Sequence, residues 1–251
     1  MTWRQGVAAG SATFTGTAGH RYHFSAVAHD AAGNVSLIPP TPHATTWVRD
    51  ATALSAGAAT AIKYGSSLVV STRAKDVNTG AALPNVMVTL YKRSSSTAAW
   101  SVVGSAKTNS SGIASITQAP KGYTQFQWRF AGDLAHAPAT SAVQAVSVAQ
   151  VVSARVTAST VAHGATVKLY GTVSPAGTNQ VVYLQRLSGT TWQTVTSAKL
   201  ISQKLPNGVT TVGFVFPVKL STAGTYRYRV YKPAAPLLLG AYSAIVSIKA
   251  T

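Results

Sequence analysis

An all-β chain of tandem sandwiches is what this sequence predicts, and three observations predict it. Apolar residues never recur at helical spacing over a useful length. Short runs of Val, Thr, Tyr, Leu and Ile instead alternate with clusters of Gly, Pro, Asn and Ser, the pattern of a sandwich or barrel. Matched motifs then recur at a spacing near 100 residues, which points to repeated domains, since solenoid repeats run about 20–50 residues. The chain has 251 residues, 46% of them apolar, enough to fill several small cores.

The first element is Tyr22–Ser36, a strand of alternating aromatic and small residues followed by a turn built on Asp30, Gly33 and Asn34. Tyr22, Phe24, Ala26 and Ala28 share one face of that strand and Arg21, His23, Ser25 and Val27 the other. Ser11–Gly16 reads as an earlier strand and Asn34–Ile38 as the start of a third. Residues 1–48 fall short of the roughly 100 residues and seven strands of a whole sandwich. Either its opening strands are missing, so that the chain begins inside a domain, or the segment completes its sheet with something else. Pro39, Pro40 and Pro42 stiffen its exit.

Two longer units follow, expected at 49–149 and 150–251. Ala51–Ala61 is alanine-rich, but Gly57 and the nearby threonines favour strand and loop there. Tyr64-Gly65 and His163-Gly164 open the units, and Leu68–Ala74 and Val167–Val173 are the strands after them. Val88-x-Leu90-x-Lys92 matches Val182-x-Leu184-x-Arg186, and Trp100 matches Trp192. Trp128-Arg129-Phe130 aligns with Tyr228-Arg229-Val230, and Ser141-Ala142-Val143 with Ser243-Ala244-Ile245. Motif order holds while the offset drifts, as expected of shared strands joined by variable loops. The second unit carries extra length around Pro206-Asn207-Gly208, an Asn-Gly hairpin signal. Almost no linker separates the units near Ala149–Val151, so a stiff, monomeric rod is expected.

These motifs carry a family likeness. Tyr22-x-Phe24-x-Ala26-x-Ala28-x-Asp30 with Gly33-Asn34 resembles the last strands of a bacterial fibronectin type III domain, with Trp3 and Ser11–Gly16 on the strands just before them. That resemblance implies a corner hydrogen bond from Tyr22. Residues 50–149 and 150–251 resemble tandem bacterial immunoglobulin-like repeats of large secreted proteins, especially actinobacterial ones. The motifs that carry this are Tyr64-Gly65, Val88-x-Leu90-x-Lys92-Arg93, Trp100, Phe130-Ala131-Gly132-Asp133 and Ser141-Ala142-Val143. In the second unit Tyr226–Val230 and Ser243-Ala244-Ile245 take the last two roles, with Tyr231-Lys232 where the Gly-Asp pair would stand. The resemblance implies immunoglobulin-like sandwiches after a partial fibronectin III-like segment, a secreted or cell-surface location, and spacer, adhesion or hydrolase-accessory roles. Fold alone does not choose among those roles.

Composition narrows the chemistry. The net charge is +17, and the only acids are Asp30, Asp50, Asp76 and Asp133. Positive charge rises along the chain, and residues 150–251 hold ten Lys and Arg and no acid. Such a field attracts polyanions in a salt-dependent way. Without cysteine there are no disulfides and no thiolate zinc sites. Met1–Gly10 lacks the apolar core of a signal peptide, and Pro233–Val246, broken by Pro236 and Gly240, is too short for a membrane span.

Candidate catalytic groups are sparse. Paired-carboxylate hydrolysis needs two acids facing one bond, and four scattered aspartates make a pair improbable. Asp30 and Asp133 sit beside glycines, where an Asp carboxylate bonds nearby backbone. His20, His23 and His29 are the one histidine cluster; His23 and His29 lie about 20 Å apart along an extended strand and cannot share a metal. No nucleophile elbow, P-loop or dinucleotide glycine pattern occurs. The sequence therefore predicts no catalytic residue, no cofactor and no metal.

A basic strand face remains. If Tyr226, Tyr228 and Val230 pack inward, Arg227, Arg229 and Tyr231 line the outer side. The neighbouring strand would present Val181, Tyr183 and Gln185 there. Arginine beside tyrosine suits sugars bearing carboxylate or phosphate; a solvated strand face explains the same pattern. No basic run or reading motif supports specific nucleic-acid recognition. Trp100 and Trp192 stand between packing and sugar stacking. The expected function is a non-enzymatic spacer and adhesion module, or alternatively an accessory region that binds cell-wall polyanions or polysaccharide.

Overall fold

The computed structural model of the chain describes residues 3–4, 13–204 and 208–251, and every regular element among them is a β-strand. The first two strands, β1 (Arg21–Phe24) and β2 (Ala44–Trp47), form a hairpin in which Tyr22 faces Thr46. This corrects two expectations. The first strand stops at Phe24 instead of Ala28, and Asn34–Ile38 contributes only an isolated bridge between His29 and Val35. The reason is local: Asp30 Oδ1 accepts from the Ala32 and Asn34 N–H groups and curls the chain out of the ladder. Of the expected Ser11–Gly16 strand, residues 11 and 12 lie outside the described residues and 13–16 are irregular. The Tyr22 corner is present, its hydroxyl oxygen accepting from the Thr17 N–H at 2.8 Å. Trp3 packs edge-on against Phe14 and Phe24.

In the next stretch, β3 (Thr52–Leu54), β4 (Thr60–Lys63), β5 (Leu68–Asp76), β6 (Met87–Arg93) and β7 (Ser101–Lys107) precede β8 (Ile113–Gln118), β9 (Thr124–Phe130), β10 (Ala139–Thr140) and β11 (Gln144–Ala149). They build one sheet ordered β3-β5-β8 and a second ordered β4-β11-β9-β6-β7, with β10 on β9. The opening strand crosses between layers: β3 pairs antiparallel with β5, and β4 pairs parallel with β11. This is the strand order of an immunoglobulin-like sandwich. Ala51–Ala61 holds no helix.

The pattern repeats. β12 (Val151–Val152), β13 (Arg155–Val156), β14 (Thr160–Val161), β15 (Thr166–Ser174), β16 (Val181–Ser188) and β17 (Thr191–Lys199) are followed by β18 (Ile201–Lys204), β19 (Thr210–Lys219), β20 (Gly224–Lys232), β21 (Ala241–Tyr242) and β22 (Val246–Ala250). One sheet runs β12-β15-β19-β18, with β13 on β15, and the other β14-β22-β20-β16-β17, with β21 on β20. The extra length of this unit becomes strand β18, paired with β19; of the turn expected at Pro206-Asn207-Gly208, residues 206 and 207 lie outside the described residues. Gly65 and Gly164 turn the chain at φ +86° and +83°, a conformation glycine adopts without strain.

Strict alternation explains the cores. Along β15 Val167, Leu169, Gly171 and Val173 point inward and their neighbours outward. One buried cluster gathers Val70, Leu90, Phe126, Trp128 and Val146; another gathers Leu169, Leu184, Phe214, Phe216, Val230 and Ile248. Each such side chain contributes about 1.5–3 kcal/mol by leaving water. A single residue, Gln150, separates β11 from β12.

Candidate binding surface

Strand β20 places its residues as alternation requires. Tyr228 and Val230 are buried, Tyr226 is half-buried on the same side, and Arg227, Arg229 and Tyr231 face out. Register with β16 sets Tyr183 opposite Tyr231 and Gln185 opposite Arg229. The four sequence-predicted residues thus share one sheet face, but not on equal terms. Arg227 is exposed and stands opposite Ser247. Arg229 is half-buried: its Nε donates to Gln185 Oε1 at 2.8 Å, and its guanidinium carbon lies 4.4 Å over Trp192 and 4.0 Å over Tyr242.

Those two rings reach Arg229 from opposite sides, Trp192 from β17 beyond β16 and Tyr242 from β21. Tyr242 also stacks on Tyr231, ring centroids 4.7 Å apart and planes 27° from parallel. The terminal nitrogens of Arg229 have no acceptor among the described residues, and they form the planar fork that matches carboxylate or phosphate. Trp192 does pack, but on arginine at the outer face instead of in the core.

The other unit has an analogous surface. Arg129 lies 4.3 Å over Tyr91 and 5.5 Å over Trp100, and Arg93 lies 4.4 Å over Trp100. Arg93 Nε donates to Gln125 Oε1 at 2.7 Å, and Arg129 bonds Gln127 Oε1 through two nitrogens. Sequence reasoning missed this cluster, as it missed Tyr242. The available signal for Tyr242 was its place beside the repeated Ser243.

Register also corrects the aligned repeat. Leu90 pairs with Trp128, whereas the matching Leu184 pairs with Val230. Ser141 Oγ accepts from the Trp128 N–H at 3.0 Å, whereas Ser243 Oγ accepts from the Val230 N–H at 2.9 Å. Trp128 therefore corresponds to Val230, two residues beyond the sequence match with Tyr228. Arg129 corresponds to Tyr231, and Gln127 to Arg229. A shift of two keeps every side chain on its face, so residue type alone does not expose the slip.

The corrected register puts Lys232 where the other unit has Phe130. Lys232 is 4% exposed and its Nζ donates to Pro233 O at 3.0 Å. Burial pushes this amine below its ordinary value. The aspartates behave as turn residues. At Asp30 a hydrogen bond from the Asn34 side chain lowers the carboxyl, and at Asp76 one from the Thr79 N–H does so. Asp133 is raised by burial, but bonds from His136 and Ala135 outweigh that and hold it low. No group of three potential metal ligands occurs among the described residues, and no helix there is long and apolar enough to cross a membrane.

Neither a family model nor any curated protein sequence matches the chain. Among solved structures, the D0-D1 domain of intimin is similar to 78% of this chain over 97% of its own length, at 19% identity and a TM-score of 0.28. A likeness that distant leaves the fold to be read from the strand order itself.

Proposed function

We propose that the chain is a non-enzymatic extracellular or cell-surface module, a stiff tandem spacer with an adhesive basic face. The units are taken as 49–149 and 150–251, with 1–48 a fibronectin III-like segment before them. The junction carries this reading. Leu239 N–H donates to Val148 O at 2.8 Å, and Gln150 N–H donates back to Leu239 O at 3.1 Å. Tyr123 N–H donates to Leu237 O at 2.7 Å, and Gln150 Nε2 to Pro175 O at 3.0 Å. A loop of the second unit thus pairs alongside the end of the first unit's last strand, next to a one-residue connection. Rotating one unit against the other breaks the two bonds that join them, Leu239 to Val148 and Tyr123 to Leu237, at about 0.5–1.5 kcal/mol for each bond lost. Small-angle scattering tests the reading: an elongated particle supports it, and a compact sphere refutes it.

A second reading, an accessory region binding acidic polysaccharide beside a catalytic part elsewhere, is favoured by the Arg229 fork among Trp192, Tyr242 and Tyr231. Retention on an acidic polysaccharide resin at low salt, lost at high salt and in Arg227→Ala/Arg229→Ala, supports it. Absence of retention at every salt concentration leaves the spacer alone.

A further inference from the structure

The two sandwiches differ at the end where β6 and β16 finish. Each of these strands closes its inward-facing series with a base, Lys92 after Val88 and Leu90, Arg186 after Val182 and Leu184. Inward parity directs the side chain toward the mouth between the sheets, away from the outer face. In the second unit Arg186 stands in register with Tyr228 and lies beside its phenol oxygen. In the first, the register partner of Lys92 is Phe126, which has no hydroxyl. The Lys92 ammonium has no partner among the described residues, and the end opens into a cavity of about 510 Å³.

Three cations line that cavity, Lys92, Arg93 and Lys121, with no aspartate among its walls. Ser101 and Thr124 add hydroxyls and Pro120 an apolar surface, with the buried Phe126 beneath them. The site is held in shape from two sides. Arg93 is fixed by Gln125 and by the Trp100 ring beneath it. The loop bearing Lys121 is pinned at Tyr123, whose N–H donates to Leu237 O of the second unit. A volume of this size is ordinary for a small-molecule site, roughly 300–1,000 Å³. Gathered like charges without a counter-charge repel one another, and a bound anion relieves that repulsion.

We infer that this cavity binds a sugar bearing a carboxylate or phosphate. The three cations take the anionic group, the hydroxyls meet those of the ring, and Pro120 meets its apolar face. The site is separate from the Arg229 surface and stands or falls independently of it.

Titration of the full chain with glucose 6-phosphate and with glucuronic acid, read by NMR shifts, tests the inference; glucose and inorganic phosphate serve as comparators. The expected result is that at least one acid sugar shifts the Lys92, Arg93 and Lys121 signals, binding tenfold or more tighter than glucose. Lys92→Ala/Lys121→Ala should weaken that binding at least tenfold while keeping the wild-type melting curve, since both lysines are exposed. Arg229→Ala should leave it unchanged. Inorganic phosphate binding as tightly as glucose 6-phosphate would overturn the sugar assignment. Absence of shifts with both acids, or binding indifferent to the double variant, would overturn the site.

Discussion

The Arg229 guanidinium carbon lies 4.4 Å over the Trp192 ring, so the chief outward cation of the last sheet is fastened to its own surface before any ligand arrives. An exposed cation–π contact is worth about 0.5–1 kcal/mol. Arg229→Ala and Trp192→Ala should therefore show a coupling of that size in a double-mutant cycle read by urea unfolding. Arg227→Ala, on the exposed neighbour, should change stability by less than about 0.5 kcal/mol.

The serines at the kinks are expected to matter more. Ser141 and Ser243 each accept from the N–H of a buried residue and donate to the next carbonyl, Ala142 or Ala244. Replacing either by alanine leaves a buried N–H without its acceptor, at about 1–3 kcal/mol. Chemical denaturation of Ser141→Ala and Ser243→Ala should give losses in that range, similar in the two units.

Lys232 gives a pH signature. Its folded value is lowered from the usual 10.5, so between the folded and unfolded values the unfolded chain holds more protons. Stability then rises with pH through that alkaline window, the window being set by the folded value below and 10.5 above. Below it the buried ammonium is a standing cost. Lys232→Met should raise stability at neutral pH by roughly 1–2 kcal/mol and should abolish its contribution to the alkaline rise. Thermal melts from pH 7 to 10.5 in both proteins check this.

Much of this was legible in the sequence. Alternation put Arg227, Arg229 and Tyr231 on one side of a strand, and the resemblance to an immunoglobulin-like sandwich put Tyr183 and Gln185 on the neighbouring one. The glycines of Tyr64-Gly65 and His163-Gly164 marked equivalent turns. The register of distant strands was not legible, because a two-residue slip costs nothing in the inward-outward pattern. That is why Arg129 was matched to Arg229, and why the buried place of Lys232 stayed hidden until Leu184 was seen opposite Val230. The partner of Tyr22 was missed for another reason: Ala44–Trp47 has no apolar alternation, and its four residues are exposed.

Junction rigidity depends on Leu239. Proline there removes the N–H that bonds Val148 O. Leu239→Pro should leave each sandwich folded, with little change in far-ultraviolet circular dichroism, yet free the units to move against each other.

That motion is measurable directly, because the chain contains no cysteine and accepts spin labels only where they are introduced. Labels at Ser105→Cys and Thr196→Cys, both exposed and one in each sandwich, report the distance between units by double electron–electron resonance. A stiff spacer predicts one narrow distance distribution, broadened by Leu239→Pro. A broad distribution in the otherwise unaltered chain would contradict it.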